Sequence, residues 1–151
     1  MLKEDFFVFP FHGNKWKSIR REKYKDIGKG WKGVSRFVFT RGEKTVSYEV
    51  RYFEVKGGGY TTLEKHSHTH FVIGARGNGV VVVGKTLIKL KHFDILIIPP
   101  WVPHQFINLN KSPFGFFCIV DRERDRPKSL EKEEIEELMK NEEIRGIIKI
   151  D

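Results

Sequence analysis

The chain has 151 residues and a formal net charge of +8, a length that suits one domain with a buried core. It contains no run of about 18 apolar residues, and charges precede the short apolar run near its start, so we expect neither a membrane span nor a secretion signal. Cys118 is the only cysteine, which excludes an intramolecular disulfide and favours a cytoplasmic location.

Residues 1–36 are basic, irregular and interrupted by glycines, and we interpret them as an arm that wraps the rest of the domain. Aromatic residues such as Trp16, Tyr24 and Trp31 lie between the basic ones, a combination that can bind single-stranded nucleic acid. Because no nucleic-acid motif accompanies the charge, we favour a solvated surface and expect no nucleic-acid partner. The abundant Lys and Glu are also typical of heat-adapted proteins.

From Val34 onward the sequence alternates between apolar and polar residues, the pattern of β-strands. The predicted strands cover 36–40, 45–55, 60–66, 70–75, 80–83, 86–90, 95–98, 104–108 and 113–120. The triplet Gly57-Gly58-Gly59 is predicted to break the chain. Short strands with glycine turns indicate an all-β sandwich or barrel, but this pattern alone does not choose between jelly-roll, immunoglobulin-like and lipocalin-like forms.

The C-terminal segment changes in character after the last long strand. Residues 121–128 are charged and contain proline, and an apolar stripe of Ile135, Leu138 and Met139 predicts a short helix that packs outside the barrel. Ile144 to Ile150 is predicted as a final strand. The predicted organisation is therefore one domain, with an arm over 1–36, a barrel over 37–122, and a helix and tail over 123–151.

Two segments of the barrel carry regularly spaced polar residues and turn formers. The first reads Gly58, five residues, Glu64, one residue, His66, three residues, His70, six residues, Gly77. The second reads Phe93, five residues, Pro99, one residue, Trp101, two residues, His104, three residues, Asn108.

This pair of segments resembles the two motifs of the cupin family, G-x5-H-x-H-x3,4-E-x6-G and G-x5-P-x-G-x2-H-x3-N. The chain departs from the family pattern because glutamate and histidine exchange places at Glu64 and His70, and because Phe93 and Trp101 replace two glycines. The resemblance covers residues 46–120. It implies a single cupin jelly-roll barrel, with the arm and the short C-terminal helix added to it.

The resemblance implies a metal site formed by Glu64, His66, His70 and His104. Side chains two apart on a strand share a face, so the first three can point into the barrel together. Imidazole nitrogens with one carboxylate oxygen suit one divalent transition metal, either Fe, Mn, Ni, Cu or Zn.

Other residues are candidates for the substrate pocket and for catalysis. His68 shares the parity of the ligands but falls on a variable motif position, so it is either an alternative ligand or the residue that transfers protons. Arg51 would clamp a carboxylate or phosphate if it faces inward, and would be an ordinary surface arginine if it faces outward. Trp101 at the barrel mouth and Phe106 inside it are the remaining pocket candidates.

The family includes dioxygenases, isomerases, decarboxylases and lyases. The resemblance therefore implies a mononuclear metalloenzyme of the oxygenase, isomerase or lyase type that acts on a small organic molecule. The alternative is a non-catalytic module that binds or senses a small ligand, because a fold does not determine a function. Barrels of this kind often pair, so we also expect a homodimer.

Overall fold

Short strands joined by tight turns dominate the computed structural model, which describes residues 7–25 and 28–150. Two helices follow the last strand. In chain order the elements are β1 (Phe11–His12), β2 (Lys15–Trp16), β3 (Glu22–Lys23), β4 (Lys32–Val38), β5 (Tyr48–Tyr60), β6 (His70–Arg76), β7 (Gly79–Val83), β8 (Thr86–Leu90), β9 (Ile95–Ile98), β10 (His104–Ile107), β11 (Phe114–Asp121), α1 (Lys132–Met139) and α2 (Glu142–Ile147).

Nine of the strands form one antiparallel sheet that rolls into a nearly closed barrel, which confirms the predicted all-β jelly roll. Its order is β8-β7-β10-β5-β11-β6-β9, and β4 pairs with β5 as well as with β3. This order places β6 and β10, which are distant in sequence, on opposite sides of the long strand β5. Both strands begin with a histidine, His70 in β6 and His104 in β10, at the same end of the barrel.

The predicted break at Gly57-Gly58-Gly59 is wrong, because β5 runs through all three residues. The glycines instead let the strand bend and approach its neighbours closely. Gly58 has a left-handed φ of 73°. A Cβ atom at Gly57 would lie 2.6 Å from the carbonyl oxygen of Lys111, and one at Gly59 would lie 2.5 Å from that of Lys32. A bent strand can pair with β11 along one half and with β10 at its end.

Two apolar clusters stabilise the two faces of this sheet. The inner one fills the barrel below the histidines and contains a run of stacked aromatic rings, in which Phe106 and Phe116 lie 4.2 Å apart and Phe53 and Phe116 lie 5.6 Å apart. The outer cluster joins Val82 and Ile107 of the sheet to Leu138 and Ile144 of the helices. The rings of Phe53, Phe106 and Phe116 line the cavity that lies above them.

The C-terminal region contains two helices where the sequence predicted one helix and a strand. The predicted strand from Ile144 to Ile150 is wrong, because the side chain of Asn141 accepts hydrogen bonds from the N–H groups of Glu143 and Ile144 and so begins α2. Ile144 is fully buried against the outer sheet face. Neither helix in the described part of the chain is long and apolar enough to cross a membrane.

The N-terminal region contributes to the barrel itself. Strand β4 begins at Lys32, so the sheet extends into the range predicted as the arm, whose residues 1–6, 26 and 27 lie outside the described ones. The hairpin β1–β2 covers the outside of the sheet with Trp16, which contacts the rings of Phe37 and Tyr52 at 5.2 and 4.7 Å. Tyr24 is buried and packs on Phe53. One end of the arm is thereby fixed at the rim of the inner cavity.

Candidate metal centre

Three histidines meet at one end of the barrel. His66, His70 and His104 each offer a ring nitrogen, and these three atoms lie within 4.8 Å of one another. The Nε2 atoms of His66 and His70 are 2.8 Å apart. Two nitrogens held 2.0–2.1 Å from a single ion are about 3 Å apart when they occupy neighbouring coordination positions. The spacing therefore fits two ligands of one metal ion.

Two of the three histidines lie in strands, and the third lies in a loop. His70 opens β6 and His104 opens β10, whereas Glu64 takes part only in an isolated bridge to His104 and residues 66–69 form a loop. The expectation that Glu64, His66 and His70 share one face of a strand is therefore wrong. The three side chains do line one cavity, but only His70 lies in a strand. The loop is held by Trp101, whose backbone N–H donates to the carbonyl of His66 at 2.7 Å.

Hydrogen bonds orient the imidazoles so that Nε2 remains available. The Nδ1 atom of His104 donates to the carbonyl of Val102 at 2.9 Å, and that of His66 donates to the carbonyl of His68 at 3.3 Å. A carbonyl can only accept, so in each neutral ring the lone pair is on Nε2. The Nδ1 atom of His70 lies 3.0 Å from the sulfur of Cys118. Such outer contacts fix the tautomer and ring orientation of metal-binding histidines.

The environment of the three rings keeps them neutral. Burial, reinforced by His104, lowers the pKa of His66 to about 4. Burial also lowers the pKa of His104 to about 4, although the hydrogen bond to Val102 opposes the shift. Burial and the neighbouring histidines hold the pKa of His70 far below its usual range. Because a neutral imidazole is the form that binds metal, this donor set fits a divalent transition ion at neutral pH.

His68 lies beside this cluster but has a different partner. Its ring stacks on that of His66, and its Nδ1 lies 2.8 Å from Oδ1 of Asp125. Although desolvation raises the pKa of Asp125, hydrogen bonds from the Ser67 N–H and from His68 lower it well below its usual range. Asp125 could not be identified from the sequence, because it lies in the charged segment after β11 and belongs to no motif.

Glu64 lines the same cavity but is not part of the histidine group. Its Oε2 accepts a hydrogen bond from Nζ of Lys25 at 2.6 Å, and Lys25 also donates to Oγ1 of Thr62 at 3.0 Å. Lys25 was not singled out in the sequence, where it is one of many basic residues of the arm.

The histidines open into a cavity of about 210 Å³. Arg51 and Phe106 line this cavity, so Arg51 faces inward. Trp101 does not line it: its surface is 47% exposed, and the ammonium of Lys128 lies 5.1 Å from the centre of its ring. Among the described residues that line the cavity, the charged ones are Lys25, Arg36, Arg51, Arg124, Glu64 and Asp125. Carboxylates outside the lining pair with two of these cations, since Glu22 contacts Arg36 at 3.3 Å and Glu49 contacts Arg124 at 3.0 Å.

Arg51 is the most deeply buried of these cations, with 7% of its surface exposed. Its Nη2 donates to the sulfur of Cys118 at 3.4 Å, and its guanidinium lies 4.9 Å from the centre of the Phe53 ring. The Nε atom is buried and has no hydrogen-bond acceptor among the described residues; the nearest carboxylate, that of Glu49, is 3.7 Å away. Glu49 therefore forms an ion pair with Nε, while the guanidinium also lines the cavity, where its N–H groups can bind an anionic group.

Comparison with known proteins identifies the family. A curated protein of Rhodospirillum rubrum, 1-methylthio-D-xylulose 5-phosphate methylsulfurylase, is 36% identical over 121 residues, which cover 79% of this chain and 77% of that protein. The family model of the cupin domain matches residues 51–120. The chain belongs to the cupin family.

Solved structures agree with this assignment. A cupin 2 conserved barrel domain protein from Rhodopseudomonas palustris has 35% identity and a TM-score of 0.85, over 93% of this chain and 97% of that one. A cupin-2 domain protein from Rhodospirillum rubrum has 31% identity and a TM-score of 0.82, over 93% and 94% of the two chains. The family predicted from the two motifs is therefore confirmed.

Proposed function

We propose that this cupin is a mononuclear metal-dependent enzyme that acts on a small phosphorylated molecule. The observation that carries the proposal is the placement of three neutral imidazoles and a buried arginine in the lining of one cavity. The name of the Rhodospirillum rubrum relative, which shares 36% of its residues over the aligned region, supports a sugar phosphate that bears a methylthio group as the substrate class.

His66, His70 and His104 would hold the metal ion, whose role when bound is that of a Lewis acid toward substrate oxygen atoms. Iron, manganese, nickel, copper and zinc all accept such imidazole donors. The donor set therefore supports metal binding without selecting one of these ions.

Arg51 would bind and orient the anionic end of the substrate. Its fork of N–H donors matches the oxygens of a phosphate or carboxylate, and a guanidinium in the cavity lining favours an anionic substrate over a neutral one. Phe53, Phe106 and Phe116 line the apolar side of the cavity and would exclude water from the reacting atoms.

His68 would move a proton. Its Nδ1 is held by the Asp125 carboxylate, so Nε2 is the atom that can exchange a proton with a substrate in the cavity. A carboxylate that orients an imidazole in this way is the arrangement by which general acid–base histidines are positioned.

The proposal can be tested by incubating the metal-loaded protein with 1-methylthio-D-xylulose 5-phosphate and following the substrate by ³¹P and ¹H NMR. We expect consumption of this compound, no consumption of its unphosphorylated analogue, and a large rise in KM for Arg51→Met. Lys85→Met, which changes an exposed lysine outside the cavity, is the matched control. Tight retention of the compound without turnover would contradict the enzyme and support the ligand-binding alternative.

A further inference from the structure

The ion pair between Lys25 and Glu64 joins the N-terminal arm to the wall of the metal centre. The 2.6 Å contact is direct, and Thr62 provides a second acceptor for the same ammonium. The side chain of Glu64 is only 11% exposed and that of Lys25 is 29% exposed. A carboxylate this deeply buried requires a compensating positive charge, because burying an unpaired charge is strongly unfavourable.

The position of Lys25 is determined by its neighbour in the chain. Tyr24 is buried, and its ring packs against Trp31 at 5.8 Å and Phe53 at 5.9 Å. The ammonium of Lys25 lies 5.2 Å from the centre of the Tyr24 ring. The arm therefore presents Lys25 to the cavity from a fixed point on the aromatic core.

Glu64 is close enough to the histidines to compete for a role at the metal. Its backbone forms two hydrogen bonds with that of His104, at 3.0 and 3.2 Å, so the two residues are direct neighbours. The cupin pattern places a metal ligand at the position of Glu64. Yet the oxygens of Glu64 do not join the group of three nitrogens, and one of them is bound to Lys25.

We propose that Lys25 is a positioning residue that holds the Glu64 carboxylate away from the imidazoles, so that this cupin binds its metal ion through three histidines alone. This inference rests on the metal binding proposed above. Removal of Lys25 would leave a buried carboxylate without its partner, and a divalent ion beside it would be the nearest replacement. The basic arm thereby sets the number and charge of the ligands.

The experiment is a titration of the metal-free protein with Co²⁺, whose visible absorption reports the number and type of its ligands. The wild type and Glu64→Gln should bind one ion with the same spectrum and with affinities within about threefold of each other. Lys25→Met should show a changed spectrum and an affinity raised by about tenfold, comparable to effects of outer residues on metal sites. The double variant Lys25→Met/Glu64→Gln should return to the wild-type spectrum.

Lys25→Arg is the matched control, because it keeps the positive charge and should bind Co²⁺ like the wild type. Circular dichroism establishes that each variant is folded. An affinity loss of tenfold or more in Glu64→Gln would overturn the inference, because Glu64 would then be a ligand. An unchanged spectrum in Lys25→Met would overturn it as well. Absence of Co²⁺ binding by the wild type would instead refute the proposed metalloenzyme.

Discussion

The rings of His66 and His68 are stacked 3.9 Å apart with their planes 8° from parallel, yet they have different partners. His66 faces His70 across 2.8 Å, whereas His68 faces the carboxylate of Asp125 across the same distance. Two residues that share parity in the sequence therefore have different surroundings. The ring of His66 belongs to the candidate metal cluster, and His68 is the residue that we propose transfers a proton.

This division predicts different outcomes for two substitutions. His68→Gln should retain its metal ion and lose about 10²- to 10⁴-fold in kcat, the usual contribution of a general acid or base. His66→Ala should lose the ion itself. Metal content and kcat should be measured on the same preparations, with His92→Gln as a control, since His92 is exposed and its ring lies 2.9 Å from the carbonyl of Ala75, outside the cavity. If His68→Gln loses its metal as readily as His66→Ala, the assignment of His68 is wrong.

Phe93 and Trp101 stand where the cupin motif has glycines, and both adopt the glycine conformation, with φ of 66° and 64°. A left-handed backbone costs a non-glycine residue about 1–2 kcal/mol. Because Phe93 is 77% exposed, Phe93→Gly should lose little burial and should raise the free energy of unfolding by about 1 kcal/mol. Urea denaturation tests this, and Phe93→Ala, which keeps the strain, should show no gain.

Trp101→Gly should lower the free energy of unfolding in the same urea experiment. The substitution would remove a half-buried ring and its contact with the ammonium of Lys128, and this loss should exceed the relief of backbone strain. Stabilisation of both variants to an equal extent would show that neither aromatic ring contributes to the fold.

The metal-free protein should become less stable as the pH falls from about 6.5 to 4. The pKa values of His66 and His104 are about 4 in the folded chain and 6.5 when the chain is unfolded, so the unfolded chain binds more protons in this window. Each histidine then reduces the free energy of unfolding by up to about 1.4 kcal/mol per pH unit. Well above pH 6.5 both states are neutral at these residues, and their contribution no longer changes.

Urea denaturation of the EDTA-treated protein across this range measures the slope. His104→Asn should have a shallower slope than the wild type, because it removes one of the titrating groups. A slope that is the same in the wild type and in His104→Asn would refute the assigned cause.

The fold could be predicted from the sequence because apolar alternation and turn residues are local signals, and the two motifs fixed which barrel they form. The three histidines followed from the same motifs. The roles of Lys25 and Asp125 could not be predicted, since each contacts the site across a long stretch of chain and occupies no motif position. The prediction of a strand over Ile144 to Ile150 is wrong because the alternation of apolar residues there is short. The N-cap residue Asn141 stabilises a helix instead.

The glycine triplet in β5 and the aromatic residues at two glycine positions illustrate a different limit. Gly57 is needed for the close approach of the loop at Lys111, and Gly59 for that of β4 at Lys32, which a local pattern does not reveal. Phe93 and Trp101 adopt a conformation that their residue types disfavour, so only the surrounding fold accounts for it.

The most direct test of the metal centre is the stoichiometry and affinity of Co²⁺ binding to the metal-free wild type and to His104→Ala, with circular dichroism to establish that both are folded. The centre described here predicts one ion per wild-type chain and an affinity loss of more than about 100-fold in the variant. One ion bound by His104→Ala with the wild-type affinity would contradict it.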